Sequence, residues 1–181
     1  MFRDLREHSS YGSGRDNRSE LERYTDALVD RHLEQIDPSI QADAQKMGEF
    51  YRMFYALEND IRDMIAAAME AEFGESWWGE KVPSAVRDNV KSNKAKEDKE
   101  GIPPRSRRRI DYTSFGELGE VIKANWEVFR GIFSNASIER VERVIHRLNL
   151  ARGPIAHSGI VPPEESVRLK LAIRDWYALM E

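Results

Sequence analysis

The sequence predicts an all-α fold: an up-and-down bundle of helices with one long basic loop and a flexible N-terminal arm. Three observations carry this reading. Apolar residues recur at three- and four-residue steps through most of the chain, the spacing of one buried helix face. Alternating apolar and polar residues, the mark of a half-buried strand, are almost absent. Helix start and stop signals fall between the periodic stretches, and no repeat at solenoid periods is present.

In chain order, residues 1–18 are polar, contain Ser9-Ser10-Tyr11-Gly12-Ser13-Gly14 and lack apolar periodicity, so they are expected to form the arm. They hold no apolar core of a signal peptide, and no run approaches a membrane span. A single domain over 19–181 is expected to follow. Ser19 and Glu22 have capping-box spacing and open a first helix with the stripe Leu21, Tyr24, Leu28, Leu33 and Ile36. Asp37-Pro38 breaks it. A long second helix carries Ile40, Met47, Phe50, Phe54, Leu57, Ile61, Ile65 and Ala68, and Gly74 after Phe73 is its stop signal. Trp77-Trp78-Gly79 forms a bulky punctuation, read as a core plug or as a base-stacking platform. A short helix is expected from Pro83 to about Ser92. Lys94 to Arg109, with Gly101, Pro103 and Pro104, reads as an exposed loop. Tyr112, Phe115, Leu118, Ile122, Trp126 and Phe129 trace one helix face. Ser137 caps the next helix, striped by Ile138, Val141, Ile145 and Leu148. Pro162-Pro163 opens the last, with Val167, Leu171 and Leu179 inward and Trp176 beside them.

Composition bounds the chemistry. The chain has 181 residues, of which 40 % are hydrophobic and 33 % charged, which suits a packed, water-soluble domain. It has no cysteine, so disulfides, thiolate zinc sites and cysteine nucleophiles are excluded, and a reducing cytoplasm fits. No metal site and no cofactor are expected. The net charge is −4, but nine basic and four acidic residues between Arg87 and Arg109 leave +5 there and −9 elsewhere. An acidic protein with one basic segment has a place to hold nucleic acid. Arg105, Arg107, Arg108 and Arg109 are the candidate phosphate contacts, beside the plain reading of a solvated loop.

The residues best suited to chemistry lie at Arg152-Gly153-Pro154-Ile155-Ala156-His157. Arginine neutralises phosphate charge through a planar donor fork, and histidine is the side chain that exchanges protons near neutrality. In an unbroken helix five residues turn about 500°, which sets the two roughly 140° apart. Pro154 lacks an N–H and clashes with the carbonyl of Leu150, so the helix is expected to bend or end there, letting both groups face one cleft. The plain alternative is that both complement the negative end of a helix dipole. Spacing alone decides nothing, since Arg3 and His8 share it. Glu58 and Arg62, four apart, read either as an ordinary ion pair or, with Asn59, as groups facing that cleft and orienting its guanidinium or imidazole.

With its hydrophobic-Ala-His ending, Arg152 to Ser158 resembles the defining motif of the HEPN superfamily of helical ribonucleases and nucleotide-binding modules. Leu57-Glu58-Asn59-Asp60-Ile61-Arg62, Trp77-Trp78, Asp111-Tyr112, Asn125-Trp126 and the closing helix extend the likeness over roughly 45–181. Together they resemble the subgroup attached to a PIN-type endoribonuclease of yeast mRNA surveillance and found freestanding in prokaryotes. The resemblance implies a metal-independent endoribonuclease acting as a homodimer, with Arg152 and His157 meeting their twins in one composite site. Glu58, Asn59, Arg62 and Ser158 would support them. It further implies RNA as partner (tRNA or mRNA), a toxin or phage-defence role and an antitoxin of nucleotidyltransferase type. One departure stands out: Gly153 occupies a position that is usually polar in the family. Two rival readings remain, a catalytically silent HEPN dimer that binds nucleotide or RNA or serves assembly, and a helical adaptor whose basic loop contacts a protein.

Overall fold

A computed structural model describes residues 19–133 and 136–181; the arm expected over 1–18, with Arg3 and His8, lies outside the described residues. The chain is all-α, and among the described residues there is no strand. It divides into two compact units, 1–42 and 43–181.

The first unit holds α1 (Glu20–Leu33) and the start of α2 (Pro38–Phe73). Ser19 closes the expected capping box: its hydroxyl accepts from the Glu22 amide, and the Glu22 carboxylate accepts from the Ser19 amide at 2.6 Å. The expected stripe of Leu21, Tyr24, Leu28, Leu33 and Ile36 is exposed. Asp37 separates the two helices, its carboxylate accepting from the Ser39 amide and hydroxyl.

In the second unit α2 buries Phe50, Phe54, Leu57, Ile61, Ile65 and Met69, spaced so that all lie on one face. It stops at Gly74, whose φ of +67° is open to glycine at little cost. Next come α3 (Trp77–Lys81), with Trp77 and Trp78 buried edge to face, and α4 (Ser84–Lys99). Here the sequence reading needs correcting: the helix after Pro83 runs on through Lys99, seven residues past Ser92, so the loop is much shorter. The physical reason is that Glu97 is buried and bonded, which holds the last helical turn against the domain.

A second correction concerns the helix expected from Tyr112 to Phe129. A 3₁₀ turn (Arg109–Tyr112) leads through extended Thr113 into α5 (Phe115–Ala124), and Asn125 parts α5 from α6 (Trp126–Phe129). Ser114 and Glu117 form a capping box that restarts the helix. At the other break, the Asn125 amide donates to the carbonyls of Val121 and Lys81.

Helix α7 (Ile138–Ala156) packs against α5 and against α8 (Pro163–Tyr177). A Cβ on Gly119 would stand 3.1 Å from Ile145 Cγ2, so glycine there sets how closely α5 approaches α7. Helix α8 is rotated from the expected register. Leu169, Ala172, Trp176 and Leu179 are inward, whereas Val167 and Leu171 are exposed. Trp176 meets Phe133 edge to face at 5.4 Å, and Phe133 stacks on Trp126 at 6.0 Å, closing the core at this end. No helix among the described residues is long and apolar enough to cross a membrane.

Candidate functional site

Glu58 is the centre of the site. It lies on the inward-turning side of α2, one residue past Leu57, and is 7 % exposed. A carboxylate so placed needs partners to offset its lost hydration. Its two oxygens take one arginine each: Arg62 Nη2 donates to Oε1 at 2.7 Å, and Arg152 Nε stands 3.4 Å from Oε2. Glu58 thus joins α2 to α7 through a guanidinium from each. The plain reading of Glu58 and Arg62 as a surface ion pair does not describe them, since both side chains are buried to about nine-tenths.

The two arginines are held differently. Arg62 also donates to the Thr113 carbonyl at 2.7 Å and to Asn59 Oδ1 at 3.2 Å, which fixes its plane. Its Nε is buried with no hydrogen-bond partner, an orphan donor inside the site. Asn59 is oriented in turn, its amide donating to the Tyr55 carbonyl at 2.7 Å. Arg152 approaches Glu58 with Nε at 3.4 Å as an ion pair without a hydrogen bond, and it is 40 % exposed along its side chain. Among the described residues its terminal nitrogens have no protein partner, so the fork is aimed but not filled.

These groups line one cleft of about 470 Å³. Glu58, Asn59, Arg62, Tyr51 and Tyr55 come from α2, Arg152, Ile155 and Ala156 from α7, and Arg105, Ser106 and Asp111 from the shortened loop and the turn after it. Of its three arginines, Arg62 is paired with Glu58 and Arg105 with Glu97, so Arg152 is the guanidinium with terminal donors left for an anion in the opening.

His157 is not among the lining residues; it is the C-cap of α7 and exposed. Pro154 sits in the last helical turn and the helix continues two residues beyond it. Ser158 then turns left-handed at φ 56°, and the Gly159 amide donates to the Pro154 carbonyl at 2.7 Å, a Schellman-type ending. A Cβ on Gly159 would lie 3.2 Å from that carbonyl oxygen. Ser158 therefore terminates the helix, and its backbone sets where His157 projects. Nothing lies within 4 Å of a Cβ on Gly153, so the position following Arg152 has open space.

The basic loop divides in two. Arg105 Nε donates to Glu97 at 2.6 Å, and its guanidinium covers the Tyr112 ring at 4.8 Å. Arg108 donates to Asp63 at 2.6 Å and, through two nitrogens, to Asp111 at 2.6 and 3.0 Å. Arg107 and Arg109 are exposed and have no ion pair among the described residues. Burial pushes the Glu97 and Asp111 carboxyls up, but the hydrogen bonds they accept outweigh it and leave both below the ordinary carboxylate range. For Glu97 the donors are Arg105 and Tyr112; for Asp111 they are Arg108 and Ser106. Its hydrogen bonds to Asp111 and Asp63 hold the Arg108 guanidinium above its ordinary value.

Sequence reasoning did not single out Tyr51, Tyr55, Glu97, Ser106 or Asp111 as parts of a site. The only available signal was spacing: Tyr51, Tyr55, Asn59 and Arg62 recur at helical steps along one side of α2. A second groove, of about 600 Å³, lies between α7 and α8 and is lined largely by apolar groups including Leu150, Val161 and Leu171. It contains none of the expected site residues.

A family model described as Swt1-like HEPN matches residues 52–181, a span that includes Glu58, Asn59, Arg62, the loop and Arg152 to Ser158. No curated protein and no solved structure matches the chain.

Proposed function

The chain belongs to the Swt1-like HEPN family, whose domains are generally RNase-type nucleases, and from that premise we propose that it is a metal-independent endoribonuclease. The observation that carries the reading is Arg152: a guanidinium aimed by a buried carboxylate into an arginine-rich cleft, five residues before a histidine.

In this mechanism the ribose 2′-OH attacks the adjacent phosphorus and the P–O5′ bond breaks. The products are a 2′,3′-cyclic phosphate and a 5′-hydroxyl, so no external water enters. His157 transfers the proton at one of the two oxygens, and Arg152 stabilises the charge that gathers on the phosphoryl oxygens. Glu58, Asn59 and Arg62 position Arg152, while Ser158 positions the histidine through the helix ending. Because His157 lies outside its own cleft, a homodimer supplies the composite site, with one protomer's His157 reaching the phosphate held by its partner's Arg152. Substrates are tRNA or mRNA, and the role is that of a cytoplasmic toxin or phage-defence effector silenced by an antitoxin of nucleotidyltransferase type.

A second reading has its own observation in support. Gly153 stands where the family usually has a polar residue and His157 is exposed, both of which suit a silent dimer that binds RNA or nucleotide. The two separate in one experiment: incubation with single-stranded RNA in EDTA. Cleavage by wild type but not by His157→Ala supports the enzyme, and equal traces from both support the silent module. Mixing His157→Ala with Arg152→Ala chains then tests the composite site, since verified heterodimers should regain part of the activity. Heterodimers without any would refute shared chemistry.

A further inference from the structure

Tyr51 and Tyr55 run against the pattern of the aromatic side chains around them. Phe50, Phe54, Tyr112, Phe115, Phe129, Phe133 and Trp176 are all buried, whereas Tyr51 and Tyr55 are each 62 % exposed. They lie one helical turn apart on α2, with ring centroids 6.2 Å apart and planes tilted by 34°. Neither hydroxyl has a hydrogen-bond partner among the described residues. A single exposed aromatic is ordinary, but two adjacent ones lining a polar cleft are not. Their position is what gives them meaning: both rings line the cleft that Arg152 and Arg105 also line.

We propose that Tyr51 and Tyr55 form a stacking platform for unpaired nucleobases of an RNA strand whose phosphate lies at Arg152. The inference rests on the RNA reading above and deepens it, since it sets the substrate class as single-stranded RNA. The chemistry of the two halves is complementary. A nucleotide presents an anionic phosphate and a flat π face, and the cleft offers guanidinium forks beside exposed rings. Base stacking on aromatic side chains depends on the π face rather than on hydrogen-bonding edges, so the platform accepts different bases. A paired duplex keeps its bases stacked internally and gains nothing from the rings.

The test is the affinity of the full chain for a 2′-O-methyl single-stranded oligoadenylate, which cannot undergo attack by its own 2′-oxygen and so stays intact with active protein. Tyr51→Ala and Tyr55→Ala should each weaken binding about five- to a hundredfold. Tyr51→Phe and Tyr55→Phe should bind as wild type does. The salt dependence should keep its slope in all four variants, because no charge is removed. Affinity for a duplex of equal length should not change. Alanine variants that bind like wild type would overturn the proposal, as would phenylalanine variants that lose as much as alanine ones, or wild type that binds no single-stranded RNA. A change of oligomeric state in place of affinity would assign the rings to a second copy of the chain and equally overturn it. With unaltered protein, 2-aminopurine in the oligonucleotide should be quenched on binding; unquenched binding counts against stacking even where a variant fails to fold. Failure of the nuclease reading remains distinguishable. Tyrosine-dependent binding of the modified strand without cleavage of unmodified RNA leaves the platform standing and removes the enzyme.

Discussion

Arg152 and Arg108 each reach a carboxylate of α2 from another part of the chain, and their side chains are similarly exposed, at 40 % and 49 %. Arg108 uses all three guanidinium nitrogens on Asp63 and Asp111 at 3.0 Å or less. Arg152 makes no side-chain hydrogen bond among the described residues and meets Glu58 as an ion pair at 3.4 Å. Exposure therefore does not say whether an arginine is free to bind a phosphate; its unused donors do. Arg108 is a lock that ties the loop to α2, and Arg152 is a held but unfilled ligand. Glu58 makes this possible by giving its hydrogen bond to Arg62 and only an ion-pair contact to Arg152.

The largest expected effect comes from removing that carboxylate. Glu58→Ala leaves Arg62 buried without its counter-charge and should cost about 3–5 kcal/mol of stability. Urea denaturation measures it, and a loss under about 1 kcal/mol would mean that Glu58 organises neither arginine.

Exchanging the two compared residues sharpens the contrast. Arg152→Ala should lower RNA cleavage about 10²- to 10³-fold while changing stability by less than about 1 kcal/mol. Arg108→Ala should do the reverse, loosening the loop at a cost of about 1 kcal/mol with most of the activity kept. Equal losses of activity in both would erase the distinction.

A smaller effect separates free from locked arginines inside the loop. Arg107→Ala should weaken RNA binding and reduce the salt slope by about 1, with no change in melting temperature. An unchanged slope would remove the exposed loop arginines from the RNA path.

The smallest effect is on pH. Glu97 and Asp111 are held below their ordinary values of 4.5 and 3.8. A carboxylate depressed in the folded state contributes stability above its unfolded value and loses it as pH falls through the folded one. The loop anchors should therefore hold at neutral pH and release only in acid, below about pH 4. Amide protection factors across 101–112, corrected for the intrinsic exchange rate at each pH from 6 downward, should fall there before those of the core do. Loss of protection already near neutrality would contradict the role given to these bonds.

Much of the fold was legible because it is written in local rules. The Ser19–Glu22 box, the stop at Gly74 and the α2 stripe from Phe50 to Ile65 follow from side-chain spacing or backbone freedom and are present, whereas Ile40 at the head of the expected stripe is exposed. The extension of α4 to Lys99 was not legible, because it depends on Glu97 finding Arg105 and Tyr112 across the turn. Ser114 and Glu117 did carry a readable cap, which would have broken the Tyr112–Phe129 helix at the right place. The site divides the same way. Glu58, Asn59, Arg62 and Arg152 share a cleft, as their helical positions allow. The outward placement of His157 depends on a helix that continues past Pro154 and ends on a left-handed serine, which a proline by itself does not specify. The exposed tyrosines carried one faint signal, their helical spacing with Asn59 and Arg62 on a side of α2 other than the core stripe, which aromatic character alone hides because Phe50 and Phe54 stand immediately beside them.

The most direct test of the cleft as an RNA-cleaving centre is a cleavage site mapped in single-stranded RNA and then rebuilt with one 2′-deoxy nucleotide immediately 5′ of the broken bond. Cleavage should disappear at that bond and persist elsewhere, with 2′,3′-cyclic phosphate ends on the remaining products. Unchanged cutting at the deoxy position would show that the strand does not supply its own nucleophile and would contradict the account.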